Sequence, residues 1–170
     1  MAQLSAEQML QALSSPMPAA VVTRGISARP RPDASTNLCE EVTLAAGNKR
    51  SLYVVEAPAI DLNIAFEHNS AALSIEGRRI LDTLAKVLQS PELRQERFVV
   101  AGHTNRLGSE DYNLRLSCAR AIAAKNYLRD KYAISPERLI AMGFGFERLK
   151  DSNSPEAEAN RRVEIRKSVH

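Results

Sequence analysis

The stretch AGHTNRLGSEDYNLRLSCAR, residues 101–120, decides the fold of this chain. An apolar, partly β-branched run at residues 98–101 leads into it and is typical of a buried strand. Residues 102–108 have the glycine and polar composition of a tight loop. From Ser109, a residue type that often begins helices, a helical pattern extends to about Tyr132. The stretch therefore predicts a strand, a loop and a long helix, and loops in this position often carry binding sites.

The long helix has polar residues on its apolar side. At about 100° per residue, its apolar residues fall on one arc, namely Leu116, Ala121, Ala124, Tyr127 and Leu128. Asn113, Ser117 and Arg120 fall on the same arc. An arginine there needs a partner, because burying an unpaired charge is costly. Two interpretations stay open: Arg120 reaches solvent or a structural carboxylate, or its guanidinium is held ready for a ligand carboxylate.

Several short motifs resemble the OmpA C-terminal-like family of peptidoglycan-binding domains. Within residues 102–120 they are GHT, GS, YN, LS and AR. Upstream, an FxxNSAxL run occupies residues 66–73, and downstream, LIAMGFG and NRRVEI occupy residues 139–145 and 160–165. The resemblance spans roughly residues 60–166, with the motifs in the family's order. It implies a domain that holds the stem peptide of peptidoglycan by its diaminopimelate.

The resemblance also implies which residues bind the ligand. In the family, the Asp after GHT binds the ammonium group of diaminopimelate, and the Arg of the LSxxR run binds its carboxylate. The arginine is present here as Arg120, whereas Asn105 stands where the family has Asp. The full predicted set is Asn69, Thr104, Asn105, Asn113, Arg120 and Arg161.

Asn105 changes what the predicted site can offer. Its amide oxygen can accept a hydrogen bond, but it supplies no charge to an ammonium group. The resemblance therefore predicts weakened ligand binding. An Asn105→Asp change is expected to tighten binding by about 5–30-fold and to leave the ligand-free protein no less stable.

Length, composition and charge limit the classes of protein to which this chain can belong. The chain has 170 residues, which predicts one domain with extra sequence at its N-terminal end. A net charge of +3 suits an anionic polymer surface, but no aromatic–basic pattern indicates nucleic acid. No apolar run has the length of a membrane helix, and none resembles the core of a signal peptide. The sequence leaves the compartment open, with a removed targeting segment as one explanation, and the resemblance implies the periplasm or cell envelope.

The chain is predicted to divide near residue 50. Residues 4–13 predict a helix with Ser5 and Gln8 as its capping box, and residues 19–37, rich in proline and arginine, predict an extended arm. Residues 1–50 are expected to be dispensable for the core fold and able to dock an envelope protein partner. Residues 51–170 are predicted to form the OmpA-like domain.

Apolar patterns in the second part predict an α+β fold. The order β-α-β-α-β-β implies a two-layer sandwich, in which two main helices cover one face of a mixed four-stranded sheet. Strands are predicted at residues 60–66, 98–101, 139–143 and 162–166, with a further candidate at residues 52–55. In the last strand, Val163 and Ile165 should face the core and Arg162, Glu164 and Arg166 should face outward. The polar segment at residues 145–159 is predicted to be irregular and mobile.

The cysteines and histidines indicate no chemistry of their own. Cys39 and Cys118, the only cysteines, either form a disulfide or stay as two separate thiols, which is the simpler interpretation. His103 is expected to hydrogen-bond its loop. No zinc motif, GxSxG, P-loop or dinucleotide motif is present. We therefore predict no enzyme, no cofactor and no metal.

Two functions remain after these exclusions. The first is non-catalytic binding of peptidoglycan as a cell-wall anchor, which uses Arg120 and the polar residues around it. The alternative is a periplasmic protein-interaction scaffold that has kept the fold and lost the ligand. Asn105 and the N-terminal extension favour the alternative, whereas the other motif residues favour peptidoglycan.

Overall fold

The computed structural model describes residues 3–16, 39, 57–67 and 70–168. Its elements are α1 (Ala6–Leu13), β1 (Ala59–Leu62), α2 (Ile75–Leu88), β2 (Phe98–His103), α3 (Glu110–Tyr132), β3 (Leu139–Gly143) and β4 (Arg162–Lys167), with 3-10 turns at Pro136–Arg138 and Glu158–Asn160. The predicted arm, the strand candidate at residues 52–55 and Asn69 lie outside the described residues.

The four described strands form one mixed sheet in the order β1-β4-β2-β3. β2 and β3 are parallel, because α3 provides the long crossover that parallel neighbours need. β4 runs antiparallel to both β1 and β2. α2 and α3 share one apolar core with one face of this sheet. The predicted α+β sandwich with a mixed four-stranded sheet is therefore confirmed.

Serine side chains begin the three described α-helices. Ser5 completes a capping box with Gln8, as predicted, although α1 starts at Ala6. The hydroxyls of Ser74 and Ser109 accept backbone N–H groups of α2 and α3 in the same way. Each hydroxyl satisfies a backbone donor that has no partner within the helix. The predicted start of α3 at Ser109 and its end at Tyr132 are confirmed.

The main core includes the N-terminal helix. Met9 and Leu13 of α1 are completely buried there, in the same apolar cluster as residues of α2 and the sheet. Removing them would expose apolar surface that is now out of water. This packing opposes the expectation that residues 1–50 are dispensable for the fold. The division of the chain near residue 50 stays a prediction.

β1 is shorter than the alternating pattern predicted. It ends at Leu62, and Ile64 and Ala65 then lie against Gly77 of α2. The backbone N–H and the hydroxyl of Ser74 both donate to the carbonyl of Ala65, at 3.2 and 3.0 Å. Phe66 pairs only with Leu73, in an isolated bridge. The alternation persists past the strand because Ile64 is buried in the same core without pairing in the sheet.

Two glycines allow α3 to approach the sheet closely. Gly102 and Gly143 lie opposite each other on the parallel strands β2 and β3. A Cβ atom on Gly102 would collide with the carbonyl oxygen of Ser117, and one on Gly143 would come within 2.5 Å of Cys118 Sγ. Any other residue at these positions would push α3 away. The glycines therefore fix the part of α3 that leads to Arg120.

A disulfide joins the N-terminal part of the chain to α3. Cys39 and Cys118 are bonded, with their Cα atoms 5.4 Å apart and their positions 79 apart in sequence. The simpler interpretation of two separate thiols is therefore wrong. Their spacing alone could not reveal the bond, because pairing depends on how the intervening strands and helix fold.

Candidate functional site

The first loop, residues 104–109, joins β2 to α3 and is held by buried polar groups. Asn113 Nδ2 donates to the carbonyls of Leu107 and Ser109, at 2.8 and 3.0 Å. The Thr104 N–H donates to the carbonyl of Gly145 at 2.8 Å. Asn113 and Thr104 are each 2% exposed. Both amide hydrogens of Asn113 are therefore used inside the loop, and its contact with a ligand stays a prediction.

The second loop, residues 151–158, is hydrogen-bonded to the first. Asn105 Nδ2 donates to the carbonyl of Glu156 at 2.8 Å, and the Arg106 N–H donates to the carbonyl of Pro155 at 2.9 Å. Asn105 is only 5% exposed. Its amide group thus fastens two loops that lie about fifty residues apart in sequence, which the sequence did not indicate.

Ser117 and Asn160 are structural residues of the site that the sequence analysis missed. The Ser117 hydroxyl donates to the carbonyl of Leu114 and accepts the N–H of Gly145, at 2.8 and 2.9 Å. Asn160 Nδ2 donates into the second loop, to the carbonyls of Asp151, Ser154 and Pro155. Both side chains are completely buried. A serine on the apolar arc was the only signal for this arrangement.

Arg120 lies half-buried on α3 without a carboxylate partner in the described part of the chain. Its Nε donates to the carbonyl of Ser70 at 3.2 Å, and its guanidinium lies 4.9 Å from the centre of the Phe66 ring. Burial, and secondly the positive charge of Arg161, lower the pKa of Arg120. Arginine nevertheless stays charged. Among the two open interpretations, pairing with a structural carboxylate finds no support in these contacts.

Arg161 adds a second positive charge near Arg120. Its Nη2 lies 3.4 Å from Glu158 Oε1, in an exposed ion pair of the kind that contributes little to stability. The structure therefore brings Arg120 and Arg161 into one electrostatic neighbourhood. It brings Asn105 and Glu156 together separately, and among the described residues no hydrogen bond or ion pair joins the two groups.

An open cleft of about 560 Å³ lies between the first and second loops. It is lined by Arg106, Ser154, Pro155, Glu156 and Ala157. The Arg106 guanidinium lies 5.7 Å from the centre of the Phe146 ring. The cleft thus offers residues with a guanidinium, a hydroxyl and a carboxylate to a ligand.

Comparison with known proteins gives these features a family. The model of the OmpA family matches residues 65–162. The chain belongs to the OmpA family. It is 32% identical to Outer membrane protein A of Bordetella avium over 130 residues. This alignment covers 75% of this chain and 66% of that protein. It is 36% identical over 104 residues to the Peptidoglycan-associated lipoprotein of Pseudomonas aeruginosa, which covers 60% of each.

Solved structures share the fold of this OmpA-family chain. The OmpA-like domain of FopA1 from Francisella tularensis superposes with a TM-score of 0.55 at 19% identity, over 69% of this chain and 82% of that one. The peptidoglycan-associated lipoprotein from Burkholderia pseudomallei gives 0.51 at 23%, over 61% and 87%. The chain spans less than two thirds of the length of the two relatives named above. Among its described residues, no helix has the length and apolarity to cross a membrane, and no His, Cys, Asp or Glu cluster could hold a metal ion.

The other face of the OmpA-family sheet carries a buried network of charges. Glu164, only 7% exposed, accepts a hydrogen bond from Arg166 Nε at 2.6 Å, and its Oε2 lies 3.8 Å from Arg162 Nη2. Arg162 Nε also donates to Asp61 Oδ1 at 2.9 Å. Arg162, Glu164 and Arg166 lie on the predicted face of the sheet. They were expected to face solvent, but they are buried or partly buried. A second apolar cluster, which includes Val99, lies on the same face.

His103 sits within this network as a neutral, stacked ring. It is 1% exposed and stacks on Phe144, with ring centres 5.3 Å apart. Neither ring nitrogen makes a hydrogen bond in the described part of the chain, and Nε2 lies 3.9 Å from Glu164 Oε2. The prediction that His103 hydrogen-bonds its loop is therefore wrong. Burial, and then the charge of Arg162, lower the pKa of His103 to about 3.

Proposed function

We propose that this chain binds the stem peptide of peptidoglycan, without catalysis, as a cell-wall anchor. The observation that carries this proposal is the half-buried guanidinium of Arg120, which has no carboxylate partner among the described residues. A partly desolvated charge without an opposite charge is unfavourable, and a ligand carboxylate would relieve that cost. The planar guanidinium can also bind a carboxylate through two parallel hydrogen bonds.

Diaminopimelate is the ligand group that this site would recognise. Its carboxylate would pair with Arg120, and Arg161 would add positive charge nearby. The hydroxyl of Thr104 is buried and has no hydrogen-bond partner in the described part of the chain, and Thr104 stays a proposed member of the site. Membership of the OmpA family and the names of the Peptidoglycan-associated lipoprotein relatives support this choice. Asn69 and Asn113 remain proposed members of the site.

Binding of the ammonium group is proposed to be weak at position 105. Asn105 has no charge, and its amide nitrogen already donates to the carbonyl of Glu156. Its amide oxygen is the side-chain atom that can accept a hydrogen bond from an ammonium group. A neutral acceptor binds an ammonium group less strongly than a carboxylate does, which is the reason to expect a gain in affinity from Asn105→Asp.

We place this activity on the periplasmic side of the cell envelope. The curated relatives are named as outer membrane and peptidoglycan-associated proteins, and a disulfide such as Cys39–Cys118 suits an oxidising compartment. Docking of an envelope protein to the N-terminal region is part of the same proposal. A scaffold that has lost peptidoglycan binding is the second candidate, favoured by the internal hydrogen bonds of Asn105 and Asn113.

Sedimentation with purified cell-wall sacculi tests the proposal. The wild type should sediment with the sacculi, and Arg120→Ala should stay in the supernatant. Arg115→Ala is the matched control, because Arg115 is an exposed arginine on the same helix. Equal sedimentation of the two variants, with both folded, would refute the role of Arg120. A wild type that does not sediment would favour the scaffold.

A further inference from the structure

The cleft between the two loops presents opposite charges that are not paired with each other. Arg106 and Glu156 both line it, with Ser154 beside them. Neither charged residue has an ion pair among the described residues, and Glu156 is exposed. A ligand that carries both an ammonium group and a carboxylate would complement such a surface, whereas a purely anionic ligand would meet the carboxylate of Glu156 unfavourably.

Asn105 itself determines where Glu156 lies. Its Nδ2 donates to the backbone carbonyl of Glu156 at 2.8 Å, and the next residue, Arg106, bonds to Pro155 in the same way at 2.9 Å. A carboxylate at position 105 has no hydrogen to donate to that carbonyl. The residue that lacks the charge thus holds the backbone of an acidic residue that can supply one.

Hydrogen bonds hold the backbone of the second loop. Asp151 Oδ1 accepts the N–H groups of Asn153 and Ser154, at 3.0 and 3.1 Å. Asn160, from outside the loop, bonds to three of its carbonyls. Asp151 is therefore used in the turn and Glu158 in the pair with Arg161, which leaves Glu156 as the acidic residue of this loop without such a role.

We propose that Glu156 binds the ammonium group of diaminopimelate in this cleft and so replaces part of the charge that Asn105 lacks. The assignment rests on the proposed function, because it assumes the stem peptide as ligand. The cleft would then recognise an amino-acid-like group with a free amine. The side-chain amine of diaminopimelate loses its charge when it is acylated, so this cleft distinguishes free from acylated stem peptides.

Calorimetric titration of the whole chain with two probes tests the assignment. One probe is a stem tripeptide ending in diaminopimelate with its side-chain amine free, and the other is the same tripeptide with that amine acetylated. Glu156→Gln should weaken binding of the free-amine peptide by about 5–30-fold, because a neutral amide replaces a charged acceptor. It should leave binding of the acetylated peptide unchanged. Glu92→Gln, the same change at an exposed residue after α2, should alter neither.

A second titration asks whether positions 105 and 156 serve the same ammonium group. Asn105→Asp should tighten binding of the free-amine peptide more in the Glu156→Gln background than in the wild type. If Glu156→Gln lowers the affinity for both peptides equally, or for neither, the assignment of Glu156 is overturned. The proposed role of Arg120 would not be affected by that result. A wild type that binds neither peptide would overturn the proposed function and this assignment with it.

Discussion

Two partly buried arginines of this protein differ in whether a carboxylate lies next to them. Arg162, on the second face of the sheet, donates to Asp61 at 2.9 Å and lies 3.8 Å from Glu164. Arg120, on the helix side, contacts the carbonyl of Ser70 and the ring of Phe66. The chain provides carboxylates for one and, among the described residues, none for the other. The paired arginine belongs to the scaffold, whereas the unpaired one is suited to bind an anion.

This difference separates stability from binding. Removing one member of a buried ion pair leaves the other charge desolvated and destabilises the fold. Removing an arginine that has no opposite charge takes away an unfavourable term together with its hydrogen bond. Variants on the second face should therefore lower the free energy of unfolding, whereas Arg120 variants should mainly lower affinity for the ligand.

The largest expected effect on stability is at Glu164. Glu164→Gln removes the charge opposite Arg166 and Arg162 inside the buried network. The free energy of unfolding should fall on the order of 3 kcal/mol, as measured by urea denaturation. Glu158→Gln, in an exposed pair with Arg161, should cause no measurable loss. Equal losses for the two variants would show that the buried network is not the stabilising one.

Asn105→Asp should lower the free energy of unfolding by a smaller amount, because it breaks a hydrogen bond between the two loops. The new carboxylate cannot donate to the carbonyl of Glu156, which lies 2.8 Å from the present amide nitrogen, and would repel it. We expect a loss of about 1–3 kcal/mol in the free energy of unfolding. This prediction replaces the expectation that the ligand-free protein would be no less stable, because that expectation did not include the bond from Asn105 to Glu156. Asn153→Asp, in the same loop, is the control, and a similar loss there would contradict the role of the Asn105 bond.

The sequence could predict those features of the fold that depend on residues close together in the chain. Serine at a helix start and alternation of apolar residues act over a few positions, which is why the helix starts and the sheet were predictable. The Asn105–Glu156 bond, the Cys39–Cys118 disulfide and the burial of His103 each depend on segments that meet only after folding. Arg120 was identifiable because it interrupts a regular apolar arc.

The last expected effect on stability is a pH dependence from His103. Its pKa is about 3 in the folded protein, against about 6.5 in an unfolded chain. The neutral ring therefore contributes its full stability above about pH 6.5, and this contribution is lost as the pH falls from 6.5 towards 3. His103→Phe keeps a ring that can stack on Phe144 but cannot be protonated.

Urea denaturation between pH 7 and 4.5 checks this prediction, since most carboxylates stay ionised over that range. Stability of the wild type should fall with decreasing pH more steeply than stability of His103→Phe. The charges that surround the ring, on Glu164, Asp61, Arg162, Arg148 and Arg166, are the same in both proteins. Parallel pH profiles would show that His103 is not buried as a neutral ring.

The central claim is that the Arg120 guanidinium binds a ligand carboxylate, and one calorimetric cycle tests it most directly. The wild type and Arg120→Met are each titrated with a stem tripeptide that ends in diaminopimelate and with the same tripeptide amidated at the diaminopimelate carboxylates. Met retains an apolar side chain against Phe66 and removes the charge. The wild type should bind the amidated peptide about 30-fold or more weakly, since truncating a charged partner typically costs at least about 2 kcal/mol. Arg120→Met should bind both peptides equally weakly. If Arg120→Met keeps the wild-type preference for the free carboxylate, another residue reads that group and the account is wrong.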